Sequence, residues 1–270
     1  MRTCYFIFLS LLLFSCSWED QNVIFEGAVT PDTLEVSTLS LEDEIKRQIE
    51  LSLDIPRNEE YDIQFHYDYI NRDTLMDIII LVNREAYAFQ KSQRENKLSF
   101  LEYMGFTGPY NYVFVKLGGS KKVIQAPPVG SSVFHPLIIH FEPITIPGQN
   151  DFYVQYRSRN SMFRNYYTIR GEEIYLTFNC PEFDLIGEEN PKAYYIEHSE
   201  STVRTAKDIA LYHGIIPNYT STEIEDVNNF TPSYIQSTGE LFVYFIFDEK
   251  TKKYKTPFTP EKQNDEVVVE

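Results

Sequence analysis

A β-rich α+β fold, an antiparallel meander or sandwich flanked by a few helices, is the class this sequence predicts. Three observations point there. Tyrosine and phenylalanine number 20 each and aromatics make up 15% of 270 residues, and such side chains favour pleated, half-buried surfaces. Apolar runs of strand length recur at short intervals between turn-forming residues. Helical spacing surfaces in only a few stretches.

Ser40-Leu41-Glu42-Asp43 reads as a helix start, with a serine cap and an acid three residues on. Leu41, Ile45, Ile49 and Leu53 then form one apolar stripe until Asp54-Ile55-Pro56, so a helix is predicted over 41–53. Residues 61–69 alternate Tyr61, Ile63, Phe65, Tyr67 and Tyr69 against Asp62, Gln64, His66 and Asp68, a strand with one wet face. Asp77 opens into Ile78-Ile79-Ile80-Leu81-Val82, apolar on both faces and therefore a central strand. Residues 85–103 read as a helix or a long excursion. Tyr112–Val115 and Lys122–Gln125 flank Gly118-Gly119 as a hairpin.

Further strands are predicted near 137–145, 151–158, 163–170 and 172–179, the last two joined by a turn at Arg170-Gly171-Glu172. Ser201 to Tyr212 fits a helix with Val203, Ala206, Ile209 and Ala210 inward and Gly214 as its C-cap. A last hairpin joins 241–247 to 253–255. No repeat of fixed period is visible, which argues against a propeller or solenoid.

The chain opens with Arg2, an apolar stretch from Tyr5 to Phe14, and Ser15-Cys16. That run matches a secretory h-region and falls short of the roughly 20 apolar residues a membrane span needs. Leu13, Ser15 and Cys16 resemble a bacterial lipoprotein leader, in which the cysteine takes a diacylglycerol as a thioether and becomes the mature N-terminus. The resemblance implies lipidation of Cys16 and an exported protein held in a Gram-negative envelope, on the outer membrane. Several acyl chains make such a tether durable. The expected organisation is a leader over 1–15, an acidic flexible tether over 16–39, a β-rich domain over 40–190, an α+β extension of the same body over 191–258, and a disordered tail over 259–270.

Net charge is −16, and becomes −17 without the leader because Arg2 leaves and no acid does. Nucleic acid is thereby excluded as a partner, since phosphate binding requires a positive patch. Cys4 falls within the leader and Cys16 is committed to lipid, so Cys180 stands alone and is expected as a buried, inert thiol.

One segment carries the pattern of a metal loop. Asn71-x-Asp73-x-x-x-Asp77 runs straight into an apolar strand and resembles the FG-GAP/VCBS type, whose acidic loop can hold calcium. The resemblance implies Asn71, Asp73 and Asp77 as ligands of a hard cation, which seeks 6–8 oxygens. The family's first acid falls on Tyr69 and its glycine on Thr74. The bland reading is that Asn71 and Asp73 bond the turn backbone while Asp77 starts the strand. No other cofactor is expected. The stretch 61–187, ending in Phe183-Asp184-Leu185-Ile186-Gly187, resembles small Gram-negative lipoproteins that carry a single such motif.

No His-Glu-x-x-His, Cys-x-x-Cys or phosphate loop occurs. His66 beside Asp68 reads as a surface pair, and Glu188-Glu189 as an exposed turn. The expected role is a non-catalytic, membrane-anchored lipoprotein that binds an envelope protein or a glycan. The alternative is a carboxylate-dependent hydrolase of the envelope, marked by two carboxylates of raised pKa in one cleft.

Overall fold

The computed structural model describes residues 39–257, apart from 185, 218, 221–223 and 225. The leader, Cys16, the tether up to residue 38 and the tail lie outside the described residues.

Helix α1 (Leu41–Ser52) starts where the capping pattern places it, with the Asp43 N–H donating to Ser40 Oγ at 3.1 Å. Glu42, Asp43 and Glu44 fill its first turn and complement the helix dipole. Its buried Ile45 and Ile49 pack on a four-stranded antiparallel sheet of β1 (Asp62–Asp68), β2 (Asp77–Asn83), β3 (Asn111–Lys116) and β4 (Val123–Gln125), adjacent in that order. All seven residues of β2 are buried, as its continuous apolar run requires. Ile78, Ile80 and Val82 face α1, whereas Ile79 and Leu81 face the opposite way into a second core. Between β2 and β3 lie two short helices, α2 (Glu85–Arg94) and α3 (Leu98–Met104), which settles the 85–103 segment as helical.

The second sheet is a meander of eight antiparallel strands whose spatial order is their chain order. They are β5 (Ile138–Glu142), β6 (Asp151–Ser158), β7 (Ser161–Arg170), β8 (Glu173–Asp184), β9 (Lys192–Ser199), β10 (Asp208–Ile215), β11 (Gln236–Asp248) and β12 (Lys253–Lys255). Phe152, Val154, Tyr167 and Ile169 on one face of β6 and β7 join Ile79, Leu81, Val113 and Val115 in the core between the sheets. The described residues are therefore layered, helix on sheet on sheet. Tyr153, Tyr166, Phe178, Ile209 and Tyr254 lie together in a further core on the other face.

That second core exists because the sheet curls. β8 and β9 pair only at Phe183↔Ala193 and Asp184↔Lys192, next to their turn, and then splay. β12 returns toward β8, where Lys253 Nζ donates to the Leu176 carbonyl. Across the opening, the Lys207 N–H donates to the Ile144 carbonyl at 2.8 Å, and Glu142 takes hydrogen bonds from His198 Nδ1 (2.8 Å) and Lys207 Nζ (3.2 Å).

Three expectations need correction. The helix expected over 201–212 is absent: the chain turns through 202–206 and then runs as β10. β9 and β11 flank this segment and supply a backbone ladder on both sides, which overrides the helical spacing of its small apolar residues. Gly214 is not a C-cap but a paired residue near the end of β10, where a Cβ would meet Ile235 Cγ2 at 2.4 Å and the Ala193 backbone at 3.1 Å. The His66–Asp68 surface pair is also absent. Asp68 instead accepts from Asn150 Nδ2 (2.9 Å), while His66 Nε2 is buried with no partner among the described residues and burial lowers the ring's pKa. Finally, Tyr67 and Tyr69, expected inward, are about half exposed (49% and 50%).

The clasp at Glu142 gives a pH test of the curl. The hydrogen bond from His198 holds the Glu142 carboxyl down at about 2, with Lys207 assisting against burial. A carboxylate depressed in the folded state stabilises above its unfolded pKa, here 4.5, and loses that contribution as pH falls toward 2. Glu142→Gln should therefore lower the melting temperature at neutral pH. The gap from the parent should close between pH 4.5 and 2, read by thermal melts across that range.

Candidate functional site

The side-chain oxygens of the acidic loop point mainly at the backbone. Asn71 Oδ1 accepts from the Asp73 N–H (2.8 Å) and Asp73 Oδ1 from the Leu75 N–H (2.9 Å). Asp77 is fully buried and accepts from Ile70 N (3.1 Å) and Gly118 N (2.8 Å), tying the β1–β2 loop to the β3–β4 turn. The Asn71 amide nitrogen lies between Asp73 Oδ2 (3.1 Å) and Asp77 Oδ1 (3.4 Å), so a hydrogen-bond donor stands between the two carboxylates. Burial raises the Asp77 pKa despite these bonds. Arg72 and Arg170 share the open cleft that Asn71 and Asp73 border. Among the described residues, no group of three or more His, Cys, Asp or Glu side chains is arranged to hold a metal ion.

Thr74, between Asp73 and Leu75 in this turn, adopts φ +63°. Left-handed backbone is unfavourable for a β-branched residue.

A second site lies at the mouth of the curled sheet, and no sequence motif marks it. Here β7 pairs Phe163 with Pro181 but Met162 with Phe183, so Glu182 is the extra residue of a β-bulge. Bulges re-aim side chains, and this one turns Glu182 toward the concave face. Arg164 meets it through Nε at 2.5 Å while its guanidinium lies 4.7 Å from the Tyr153 ring centroid. Gln155 Nε2 donates to both Glu182 oxygens (2.7 and 2.9 Å). That orientation leaves Gln155 Oε1 facing His140 Nε2 at 2.7 Å, so the imidazole donates there. Burial works against the Arg164 charge, but Tyr166 and Glu182 outweigh it and hold the guanidinium protonated. The result is a charge-balanced polar floor of four side chains.

Over this floor stands a cavity of about 290 Å³, walled by Ile138, Tyr194, Tyr195 and the segment 231–235. That segment belongs to the long β10–β11 connection, between Ile215 and Gln236. Connections of this length are uncommon in compact domains and are frequently functional. Its Ile216, Tyr219, Phe230 and Ile235 pack against Met162, Phe183 and Ile186.

One buried cation latches this loop. Arg157, 3% exposed, donates through Nε to the Arg159 carbonyl (2.7 Å), through NH1 to that of Phe230 (2.5 Å), and through NH2 to that of Val227 (2.5 Å). Three carbonyls accept its hydrogen bonds, and burial lowers its pKa to about 10 against the opposing charge of Asp226. Gly187 lets the loop close down: at φ +92°, an added Cβ would lie 2.3 Å from Val227 Cγ1.

Of the other singled-out residues, Cys180 is fully buried on β8 and burial pushes its thiol up to about 12, which keeps it inert. Glu188 and Glu189 sit on an exposed turn. The two aspartates that burial raises, Asp77 and Asp151, lie at separate loops rather than in one cleft. Comparison with protein-family models, with curated proteins and with solved structures finds no match.

Two substitutions test this description. Thr74→Gly should stabilise the protein by about 1 kcal/mol by relieving the left-handed strain, measured by denaturant unfolding. Arg157→Met should cost about 3 kcal/mol through three abandoned carbonyls. Amide exchange at Tyr219 and Phe230 should also accelerate while β2 stays protected.

Proposed function

We propose that this chain is a non-catalytic lipoprotein of the Gram-negative envelope, anchored through Cys16, which binds an envelope partner at the cavity of its curled sheet. The observation that carries the binding half is the latched loop over a preorganised polar floor. A buried arginine holds it through three backbone carbonyls, and the site combines convergent polar groups with aromatic walls, the usual make-up of a ligand site. The hydrolase reading loses support from the carboxylates: Glu182 is neutralised by Arg164, and Asp77 and Asp151 serve loop backbones. The address rests on the leader pattern and on Cys16.

Each half has its own measurement. Radiolabelled palmitate should label the protein in cells, and Cys16→Ala should abolish the label; labelling that survives the substitution refutes the anchor. A photoreactive residue placed at Tyr234, which is exposed on the cavity wall, should give a discrete adduct in intact envelopes. Its absence removes the binding assignment.

A further inference from the structure

We infer that the cavity takes an uncharged saccharide, one sugar ring seated on the floor formed by Gln155, Arg164 and Glu182 beneath Tyr194, Tyr195 and Tyr234. This inference rests on the binding reading above and names the ligand class of the same site.

The floor supplies the first argument. Its positive and negative groups are already paired with each other, and Gln155 and His140 complete the network. A charged ligand would have to break the Arg164–Glu182 pair or leave its own charge uncompensated in a partly desolvated place, which is strongly unfavourable. An apolar ligand or side chain would cover these polar groups without bonding the lone pairs that remain on Glu182. Hydroxyl groups avoid both problems. Each has one proton to give and two lone pairs to offer, so a polyol can add bonds to a network already closed without dismantling it. Planar guanidinium, carboxylate and carboxamide groups held rigid by one another are also suited to neighbouring hydroxyls, which present two bonding atoms at fixed spacing.

The walls supply the second. Tyr194 is mostly buried and its ring is fixed 5.0 Å from that of Phe242, while Tyr195 and Tyr234 are partly open at the rim. Tyrosine offers a flat apolar face together with a polar tip. The C–H face of a pyranose has the same mixture. Size is the third argument: a volume of about 290 Å³ is at the lower edge of ligand pockets and fits one ring rather than an extended chain. A longer glycan would leave its other residues outside, over the exposed Ile138 and Tyr234.

The test is calorimetric titration of the full-length protein with neutral hexoses and N-acetylhexosamines, beside glucuronic acid and short tyrosine-containing peptides. At least one neutral sugar should bind at millimolar concentration, with the acid and the peptides silent. Tyr234→Ala, an exposed loop position that leaves the fold intact, should weaken that binding about tenfold. Glu182→Gln should leave Arg164 unpaired and move the preference from the neutral sugar toward glucuronic acid. Preference of the parent for glucuronic acid or a peptide overturns the inference, as does sugar binding that ignores both substitutions. If no neutral sugar binds while the Tyr234 probe still captures an envelope protein, the saccharide is wrong and the binding reading stands. If neither occurs, both fall.

Discussion

Two strands, β6 and β7, must be dry on both faces, and the rest of the architecture follows from how they manage it. Phe152 stands opposite Tyr167, and on the other face Tyr153 stands opposite Tyr166. The first pair stacks at 5.1 Å within the core between the sheets; the second meets at 5.0 Å within the curl. Each such pair adds about 0.5–1.5 kcal/mol beyond burial, but the larger effect is on register. A slip by one residue would send every ring to the wrong core, so the two pairs lock each other. This is the structural use of the chain's many aromatic residues.

With the register locked, irregularity becomes affordable in the next hairpin of the meander. β8 departs from β7 twice, near Met162 and near Tyr166, and the first departure frees Glu182 to face the cavity. A buried ion pair of this kind contributes little net stability, because desolvation consumes most of the attraction. Its value is geometric. Arg164 stacks over Tyr153, Glu182 fixes Arg164, and Gln155 fixes Glu182, so each polar group of the floor is held by its neighbour.

The fold class was legible in the sequence because period-two alternation and turn residues are local signals. β2 announced itself as central through its uninterrupted aliphatic run, and α1 through Ser40 and its Ile45–Ile49 stripe. The segment around Ile209 misled for the opposite reason. Val203, Ala206, Ile209 and Ala210 fit a helical face, and only the neighbouring strands, distant in sequence, decide otherwise. The cavity was invisible on the same ground. Its residues come from β5, β6, β7, β8, β9 and a loop, and Glu182 joins them through a bulge that depends on pairing register rather than on any local pattern. Arg157 carried one faint signal, a lone cation within an aromatic strand, but its three acceptors are carbonyls and leave no trace in side-chain types.

The acidic loop is best understood beside a second loop that shares its geometry but not its motif. Asp77 and Asp151 are each the first residue of a strand, both buried, and each accepts the backbone N–H of an isoleucine seven residues earlier, Ile70 and Ile144. Each closes the loop of an antiparallel pair, β1–β2 and β5–β6, and in each burial raises the carboxyl pKa. The segment before Asp151 reads Ile-Thr-Ile-Pro-Gly-Gln-Asn, with no spaced acids, yet it closes in the same way. An aspartate opening a buried strand is therefore sufficient to explain Asp77. Asn71 and Asp73 then have a local task, bonding the turn through Thr74, and the loop's shape follows from hydrogen bonding alone.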